Sequence, residues 1–206
     1  LDLAEVSRLA DAMDDRYSAL VTLGAYGGFR VGEMLGLRVK SVDLLGGSID
    51  VVEQLQEVRG HLSFGPPKTS TSHRRVKVPS FVLTALGPHL ADKDRDATVF
   101  TAPEGGLVRL GQFRRRFWLP AVEAAGLSPL RLHDLRHTAV ALWIASDATP
   151  NEIAKRAGHS SVAVVLDRYG HLFPGTEDAV NDRLEAMALQ GQRAASEYGQ
   201  VVEFRR

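Results

Sequence analysis

The sequence predicts a mainly α-helical domain with a small three-stranded antiparallel β-sheet, an α+β fold. Apolar residues recur at helical spacing over most of the chain, both before residue 46 and after residue 79. Between these positions, alternating and β-branched residues replace the helical pattern. With 206 residues, 44% of them hydrophobic and 24% charged, the chain is long and apolar enough to bury the core of one globular domain.

The amino-terminal segment is predicted to form three helices. Asp2 and Glu5 have the spacing of a capping box, so the first helix is expected to run to about Met13. A second helix over 17–26 ends at a pair of glycines, and a short third helix follows over 31–37.

Three β-strands are expected next. They cover 48–58, 61–64 and 74–78. Gly60 would form the first turn, and Gly65-Pro66-Pro67 would end the second strand, which leaves Lys68 in a polar loop between two strands.

Helical periodicity returns after Pro79. The predicted helices cover 80–90, 110–125, 133–145, 150–157, 162–172 and 176–189. Thr149 is the expected cap before Pro150, whose fixed φ suits the first position of a helix. Residues 201–204 are predicted to form a short strand-like end.

The net charge argues at first against a nucleic-acid partner, because 25 basic and 25 acidic residues sum to zero. The charges are unevenly distributed, however, since no Asp or Glu occurs from Val58 to Ala91. A neutral total can therefore hide a basic face for DNA phosphates. The candidate DNA-backbone contacts are Arg74, Arg75, Lys77, Arg114 and Arg115. The alternative is a set of solvated charges without a partner.

Six side chains that lie far apart in the sequence have the chemistry that phosphodiester cleavage requires. Its members are Arg30, Lys68, His133, Arg136, His159 and Tyr169. Arginine suits an anionic phosphate because its planar fork gives two parallel hydrogen bonds and stays ionised. Arg136 follows His133 by three residues at a predicted helix start, so both side chains project from one face. Glu33, three residues after Arg30, is placed to orient its guanidinium group.

Tyr169 is the candidate nucleophile. A phenol with a pKa near 10 is ionised about one part in a thousand at neutral pH, so its deprotonation costs roughly 4 kcal/mol. Nearby arginine and histidine charges are expected to supply much of that stabilisation. Tyr17, Tyr26 and Tyr198 are expected to be structural.

Zinc is the metal alternative, because His133 and His137 have the i, i+4 spacing of a helical ligand pair. The zinc-protease motif needs Glu directly after the first His, and Asp134 stands there instead. Arg136 would also place a cation between the two ligands. With no cysteine in the chain, a thiolate site and a disulfide framework are excluded, and no metal or other cofactor is expected.

The motifs that contain these residues resemble the catalytic domain of the tyrosine recombinases, the phage integrase family. They are Gly28-Phe29-Arg30-Val31-Gly32-Glu33, Pro67-Lys68-Thr69-Ser70, His133-Asp134-Leu135-Arg136-His137-Thr138, Gly158-His159-Ser160-Ser161 and Tyr169. The resemblance runs from about residue 3 to residue 173 and implies a tyrosine recombinase catalytic-domain fold. Ten residues separate His159 from Tyr169, one more than in many relatives.

The resemblance also implies roles for the site residues. Tyr169 would attack a DNA phosphodiester to give a 3′-phosphotyrosine link and a free 5′-hydroxyl, without metal or ATP. Lys68 would protonate the departing 5′ oxygen, and His159 would hydrogen-bond the scissile phosphate. His133 would contact that phosphate or help to move the tyrosine proton. His137 resembles the family's second histidine, for which a buried structural hydrogen bond is expected.

The same resemblance sets expectations for organisation and partners. Residues 1–175 would be the catalytic domain of a site-specific integrase of a phage or mobile element, and 176–206 a carboxy-terminal helix and tail that packs on a neighbouring protomer. An amino-terminal DNA-binding domain is expected in the longer protein and is absent from this chain. The implied partners are double-stranded attachment-site DNA, three further protomers in a tetramer and accessory DNA-bending proteins. The isolated domain would be monomeric, cytoplasmic and free of any membrane.

Two other functions remain open from the sequence. A type IB topoisomerase-like enzyme would use a similar site to relax DNA, although the Gly158-His159-Ser160-Ser161 motif and the short length favour a recombinase. A non-catalytic helical DNA-binding module would fit the neutral total charge and the basic stretches, but it leaves six intact site positions without a purpose.

Overall fold

Helices form most of the chain in a computed structural model that describes residues 1–67, 72–173 and 177–203. The chain divides into two units, Leu1–Gly170 and His171–Arg206. The helices of the first unit are α1 (Leu3–Ala12), α2 (Ser18–Gly27), α3 (Val31–Leu35), α4 (Ser80–Leu90), α5 (Leu110–Phe113), α6 (Leu119–Ala124), α7 (Asp134–Ala145), α8 (Pro150–Ala157) and α9 (Ala163–Tyr169). A π-helical stretch, Arg114–Trp118, joins α5 to α6, so the predicted helix over 110–125 is continuous but not uniform.

A capping box begins α1, as the sequence predicts, and the predicted cap Thr149 begins α8. The Asp2 carboxylate accepts a hydrogen bond from the Glu5 N–H at 2.7 Å, and the Glu5 carboxylate accepts one from the Asp2 N–H at 2.8 Å. Thr149 and Glu152 form the equivalent pair at the start of α8. The predicted limits of α4 and α8 are confirmed.

The strands form two small antiparallel sheets, whereas the sequence predicts one. Their bounds are β1 (Val42–Asp43), β2 (Ser48–Val51), β3 (Gln54–Val58), β4 (His61–Gly65) and β5 (Arg74–Lys77). One sheet has the order β1-β2-β5, with Ile49 opposite Val76, and the other pairs β3 with β4. The prediction of a single strand over 48–58 is wrong, because the chain leaves the first sheet after Val51.

Two glycines of the α3 region explain where β3 goes. A Cβ on Gly32 would lie 2.8 Å from the Leu55 carbonyl oxygen, and one on Gly36 would lie 2.5 Å from the Leu55 nitrogen. These distances are too short for any side chain, so the two glycines allow the β3 backbone to pack directly on α3. The strand is thereby held away from β2 and β5.

The core of the first unit lies around α2, which packs against α1, α4 and α7. Leu20 and Leu23 of α2 are fully buried, together with Leu135 of α7 and Trp118 at the end of the π-helical stretch. Alternating apolar positions of β2 and β5, such as Ile49 and Val76, close the same core. The core therefore fixes the ends of α2 and α7, which carry site residues.

The second unit contains one long helix, α10 (Glu177–Glu203). The prediction of a strand-like end over 201–204 is wrong as far as residue 203, because α10 continues to Glu203, and Phe204 lies outside the described residues. Glutamine, arginine, alanine and glutamate between 190 and 200 favour helix, and they outweigh the glycines at 191 and 199 as well as the two β-branched valines that follow. Within the described ranges, no helix is both long and apolar enough to cross a bilayer.

Candidate active site

Arg30 occupies the position before the first turn of α3, where its backbone is extended. Glu33, in that turn, accepts hydrogen bonds from the Arg30 backbone N–H at 2.8 Å and from Nη1 at 2.9 Å. Arg30 also donates from Nη1 to Ser72 Oγ and from Nη2 to the Gly158 carbonyl, at 3.1 and 3.2 Å. Glu33 is therefore placed as predicted, and Arg30 is held from three directions with its side chain still 25% exposed.

Arg74 lies inside the site, bound to the same carboxylate. Its Nη2 donates to Glu33 Oε2 at 2.9 Å and its Nη1 to Oε1 at 3.1 Å, while Nε donates to the Arg156 carbonyl at 2.7 Å. Its side chain is 5% exposed and that of Glu33 is 2% exposed. The prediction that Arg74 contacts the DNA backbone from a basic outer face does not fit this position, because the guanidinium is buried and already paired.

The Glu33 carboxylate is the charge that holds these two arginines together. Burial alone would raise the pKa of Glu33, but the hydrogen bonds and charge of Arg74, with those of Arg30, keep it below its ordinary value. A buried carboxylate is stable only when it is paired in this way. Glu33 therefore remains ionised and fixes the spacing of the two guanidinium groups.

Arg136 is buried and is anchored by the carboxyl ends of two helices. Its Nη1 donates to the Gly28 carbonyl at 2.6 Å and its Nη2 to the Ala157 carbonyl at 2.5 Å. Gly28 is the left-handed cap of α2, and Ala157 is the last residue of α8. Carbonyls at helix ends lack helical partners and carry partial negative charge, so they suit a guanidinium. Among the described residues, Gly28 and Ala157 are the hydrogen-bond partners recorded for two of its five N–H donors.

Arg30 and Arg136 lie on the same side of the molecule, since they bind adjacent peptide carbonyls, those of Gly158 and Ala157. Burial, followed by repulsion from Arg30 and Arg74, lowers the pKa of Arg136 to about 10, which leaves it charged at neutral pH. Three guanidinium groups against one carboxylate leave an excess of two positive charges here. Such an excess suits a phosphodiester that gains negative charge during attack.

Tyr169, the last residue of α9, faces this charge. The residue is 5% exposed, and its hydroxyl oxygen lies 2.7 Å from His137 Nδ1. Burial raises the pKa of the Tyr169 phenol, and the charges of Arg168 and Arg136 act in the opposite direction without reversing the shift. The two arginines therefore favour the phenolate in the expected direction, but burial has the larger effect on this pKa.

His159 follows Gly158, the left-handed cap of α8. A Cβ on Gly158 would lie 3.1 Å from Arg74 Nη1 and 3.2 Å from Ser72 Cα, so glycine suits both the backbone and the space. Burial, followed by repulsion from Arg136 and Arg30, lowers the pKa of His159 to about 4. His159 is thus neutral at pH 7, and its buried Nδ1 has no hydrogen-bond partner among the described residues.

His133 stands at the start of α7 and is partly exposed. Its ring meets the ring of His137 edge to face, with 4.9 Å between the centroids. Burial lowers the pKa of His133, with smaller contributions from the charges of His137 and Arg136. His133 therefore contacts His137, which in turn contacts the Tyr169 hydroxyl.

We call Arg30, Glu33, Arg74, Arg136, His159 and Tyr169 the active-site cluster. Lys68, the remaining predicted catalytic residue, lies outside the described residues. The four other candidate backbone contacts lie apart from the cluster, on the surface. Arg75 binds both carboxylate oxygens of Asp50 at 2.7 Å, Lys77 donates to the Gly46 carbonyl, and Arg114 and Arg115 are exposed on the π-helical stretch.

Sequence reasoning missed Arg74 as a member of the site and gave His137 only a structural hydrogen bond. A signal for Arg74 was present, because in β5 it shares a face with the buried Val76, whereas Arg75 and Lys77 point outward. No comparable signal identified the partner of His137, since Tyr169 is 32 residues away. Over the described part of the chain, no group of three or more His, Asp or Glu side chains is arranged to hold a metal ion.

The architecture is that of tyrosine recombinase catalytic domains. The integrase of transposon Tn1549, solved with circular intermediate DNA, superposes with a TM-score of 0.72 at 20% identity over 91% of this chain and 66% of that chain. The catalytic domain of bacteriophage HP1 integrase gives a TM-score of 0.62 at 17% identity, over 88% of this chain and 92% of that domain.

Sequence comparison leads to the family. The model of the phage integrase family matches residues 1–175, so the chain belongs to the phage integrase family. The prophage phiRv2 integrase of Mycobacterium tuberculosis is 30% identical over 90% of this chain and 50% of its own length. The ICEBs1 integrase of Bacillus subtilis is 30% identical over 82% of this chain and 48% of its own. The chain thus spans about half the length of these relatives.

Proposed function

We propose that the protein is a site-specific DNA recombinase in which Tyr169 cleaves and rejoins DNA strands through a 3′-phosphotyrosine intermediate. The observation that carries this proposal is the convergence of Arg30 and Arg136 on adjacent carbonyls beside a buried tyrosine hydroxyl. The family of the chain and the integrases among its relatives support the same reaction.

In the proposed cleavage step, the Tyr169 oxygen forms a bond to phosphorus and the bond from phosphorus to the 5′ oxygen breaks. Arg30 and Arg136 donate hydrogen bonds to the non-bridging oxygens as they gain charge. His159 is neutral and donates through a ring N–H to the same phosphate. Lys68 protonates the departing 5′ oxygen. The phosphotyrosine link conserves the energy of the broken bond, so the reverse reaction with another 5′-hydroxyl exchanges strands without ATP or a metal.

The proposed partners are double-stranded attachment-site DNA, further copies of the protein in a tetramer and accessory DNA-bending proteins. The Tn1549 integrase structure was solved with DNA, which supports the first of these. Exposed Arg114 and Arg115 are the described candidates for phosphate contacts outside the site. In the second unit, Val180, Leu184 and Met187 lie on one face of α10 and are exposed, which suits the proposed packing of 176–206 on a neighbouring protomer.

The decisive experiment traps the covalent intermediate. A nicked suicide DNA that carries the attachment site is incubated with the complete protein, and the adduct is detected by denaturing electrophoresis. We expect an adduct with the unmodified protein and with Tyr26→Phe, a matched control whose half-buried ring packs on Phe81, and none with Tyr169→Phe. An adduct that persists in Tyr169→Phe would show that the nucleophile is another residue.

The same assay separates the two alternative functions. A protein that binds DNA but gives no adduct with any DNA would be a non-catalytic binding module. A protein that relaxes supercoiled DNA through the adduct but never exchanges strands would be a type IB topoisomerase-like enzyme.

A further inference from the structure

We propose that His137 is a catalytic residue whose Nδ1 takes the proton from the Tyr169 hydroxyl as the phenolic oxygen attacks phosphorus. This inference rests on the proposed function, because it assigns a step to the same site. The observation behind it is the distance of 2.7 Å between Nδ1 of His137 and the Tyr169 oxygen, which is a hydrogen-bond distance.

Among the residues that the structure describes, few groups near Tyr169 can accept its proton. With the residue 5% exposed, bulk water has little access to the hydroxyl. Arg168 and Arg136, the cations whose fields act on the phenol, are donors and cannot serve as bases. Because burial raises the pKa of this phenol, attack by Tyr169 needs a partner that removes the proton during the reaction.

The protonation state of His137 suits that task. Burial, followed by the charge of Arg168, lowers the pKa of His137, so the ring is neutral at pH 7. A neutral imidazole has one acceptor nitrogen, and the contact with Tyr169 requires the tautomer in which Nε2 carries the proton. His133 meets His137 edge to face and is partly exposed, so it can exchange protons with solvent next to this ring.

The proton balance of the step is complete. The Tyr169 O–H bond breaks, its electron pair forms the bond to phosphorus, and the proton converts His137 to an imidazolium. The bond from phosphorus to the 5′ oxygen breaks, and that oxygen takes a proton from the proposed acid Lys68. In rejoining, the imidazolium returns its proton to the phenolic oxygen as the bond to phosphorus breaks.

The charges around His137 favour a short-lived protonated state of its ring. Asp134 on α7 stabilises the protonated ring, whereas Arg131 and Arg136 from the same segment and Arg168 from α9 oppose it. The ring is therefore ready to give the proton back when the strand is rejoined. A proton held more firmly would leave the phosphotyrosine link without an acid for its reversal.

The first test needs no DNA. Histidine ¹⁵N chemical shifts of the complete protein at pH 7 report which ring nitrogen carries the proton, and loss of one signal in His137→Asn assigns the residue. We expect an unprotonated Nδ1 in His137, with a shift that changes in Tyr169→Phe. A protonated Nδ1 would make His137 the donor in this contact and would overturn the proposal.

The second test separates proton transfer from positioning. In His137→Asn, the amide oxygen can replace Nδ1 as a hydrogen-bond acceptor but cannot hold a proton. We expect adduct formation on the suicide DNA to slow by roughly a hundredfold or more, the scale of general-base catalysis. Hydroxyl-radical footprinting should show Tyr169 still protected, and DNA affinity should stay within about threefold. His61→Asn, at the exposed first residue of β4, is the matched control and should react at the normal rate.

Each other outcome of this test counts against the proposal. A normal rate in His137→Asn, or a slow rate accompanied by exposure of Tyr169, would reduce His137 to a positioning residue. A DNA with a bridging 5′ sulfur has a leaving group that needs no proton. If His137 acts on Tyr169, His137→Asn should still cleave this DNA slowly. A normal cleavage rate on this DNA would instead assign His137 to protonation of the leaving group. If the unmodified protein forms no adduct at all, the proposed function fails together with this role, while the ¹⁵N result still decides the direction of the hydrogen bond.

Discussion

The active-site cluster and the outer basic side chains use the same kinds of charge in opposite settings. Arg136 is buried and bound to two carbonyls that lie 108 and 21 residues away in the sequence. Arg114 and Arg115 are exposed within one helical stretch, and Arg75 is bound to a single carboxylate on the neighbouring strand. The first setting fixes the position of a charge, and the second leaves the charge mobile and screened by salt.

This difference indicates how each region contributes to function. A guanidinium held by distant backbone atoms is preorganised, so it can stabilise a transition state without moving. An exposed arginine contributes to affinity by releasing counterions from DNA, with little dependence on its exact orientation. Substitutions in the cluster should therefore change chemistry and folding, whereas those on the surface should change binding alone.

The largest effect is expected from Arg136→Lys. A lysine has one nitrogen and cannot bind the two anchoring carbonyls and a phosphate in the same planar geometry. Adduct formation should fall about a thousandfold, with DNA affinity reduced far less. Single-turnover cleavage and a binding titration measure the two effects. Arg131→Lys, which alters an exposed arginine at the start of the same helix, should cleave normally; equal losses in both variants would remove the contrast between buried and outer charge.

The next largest effect concerns stability, and two neighbouring arginines provide the comparison. Arg74→Ala leaves the buried Glu33 without its bidentate partner, so the free energy of unfolding should fall by about 3 kcal/mol. Arg75→Ala breaks an ion pair whose arginine is 62% exposed, so the fall should be much smaller than in Arg74→Ala. Urea unfolding measures both. Similar losses in the two variants would contradict the buried pairing.

A smaller effect is expected from pH. His159 has a folded pKa of about 4, below its ordinary value of 6.5, so the unfolded chain binds more protons between these pH values. The neutral His159 ring therefore makes its full contribution to the free energy of unfolding above pH 6.5. That contribution is lost as the pH falls towards 4 and below. Because the ring is partly exposed, we expect about 1–2 kcal/mol. Unfolding free energies measured from pH 7 to pH 4 should fall less steeply in His159→Gln, and an unchanged slope would contradict this assignment.

The smallest effect per residue is expected on the outer surface. Arg114→Gln and Arg115→Gln should each weaken DNA binding and reduce the slope of log affinity against log salt by about 1. Fluorescence anisotropy at several salt concentrations measures that slope. An unchanged slope in both variants would show that these exposed arginines do not contact DNA phosphates, and it would erase the distinction between the two regions.

The sequence is sufficient where the information is local. The capping box at Asp2 and the cap at Thr149 place the starts of α1 and α8, and short motifs select Arg30, Arg136, His159 and Tyr169 as candidates. In the fold, Arg30 and Arg136 bind adjacent carbonyls, and the charge of Arg136 acts on both His159 and Tyr169. Their catalytic roles are still proposals.

The sequence is insufficient where distant backbone segments determine the result. The separation of β3 from β2 depends on how closely Gly32 and Gly36 allow another segment to approach, which no periodicity reveals. The burial of Arg74 depends on Glu33, 41 residues earlier. A basic run has the same pattern whether its charges are exposed or paired inside, so Arg74 and Arg75 receive one predicted role although they face opposite sides of a strand.

The carbonyl of Gly28 links catalysis to the order of folding. Arg136 binds that carbonyl at the end of α2 and another at the end of α8, so neither local segment can position the guanidinium by itself. A nascent or partly unfolded chain would contain Tyr169 but not the setting that makes it reactive. The proposed capacity to cleave DNA would therefore arise only in molecules that have completed their tertiary structure.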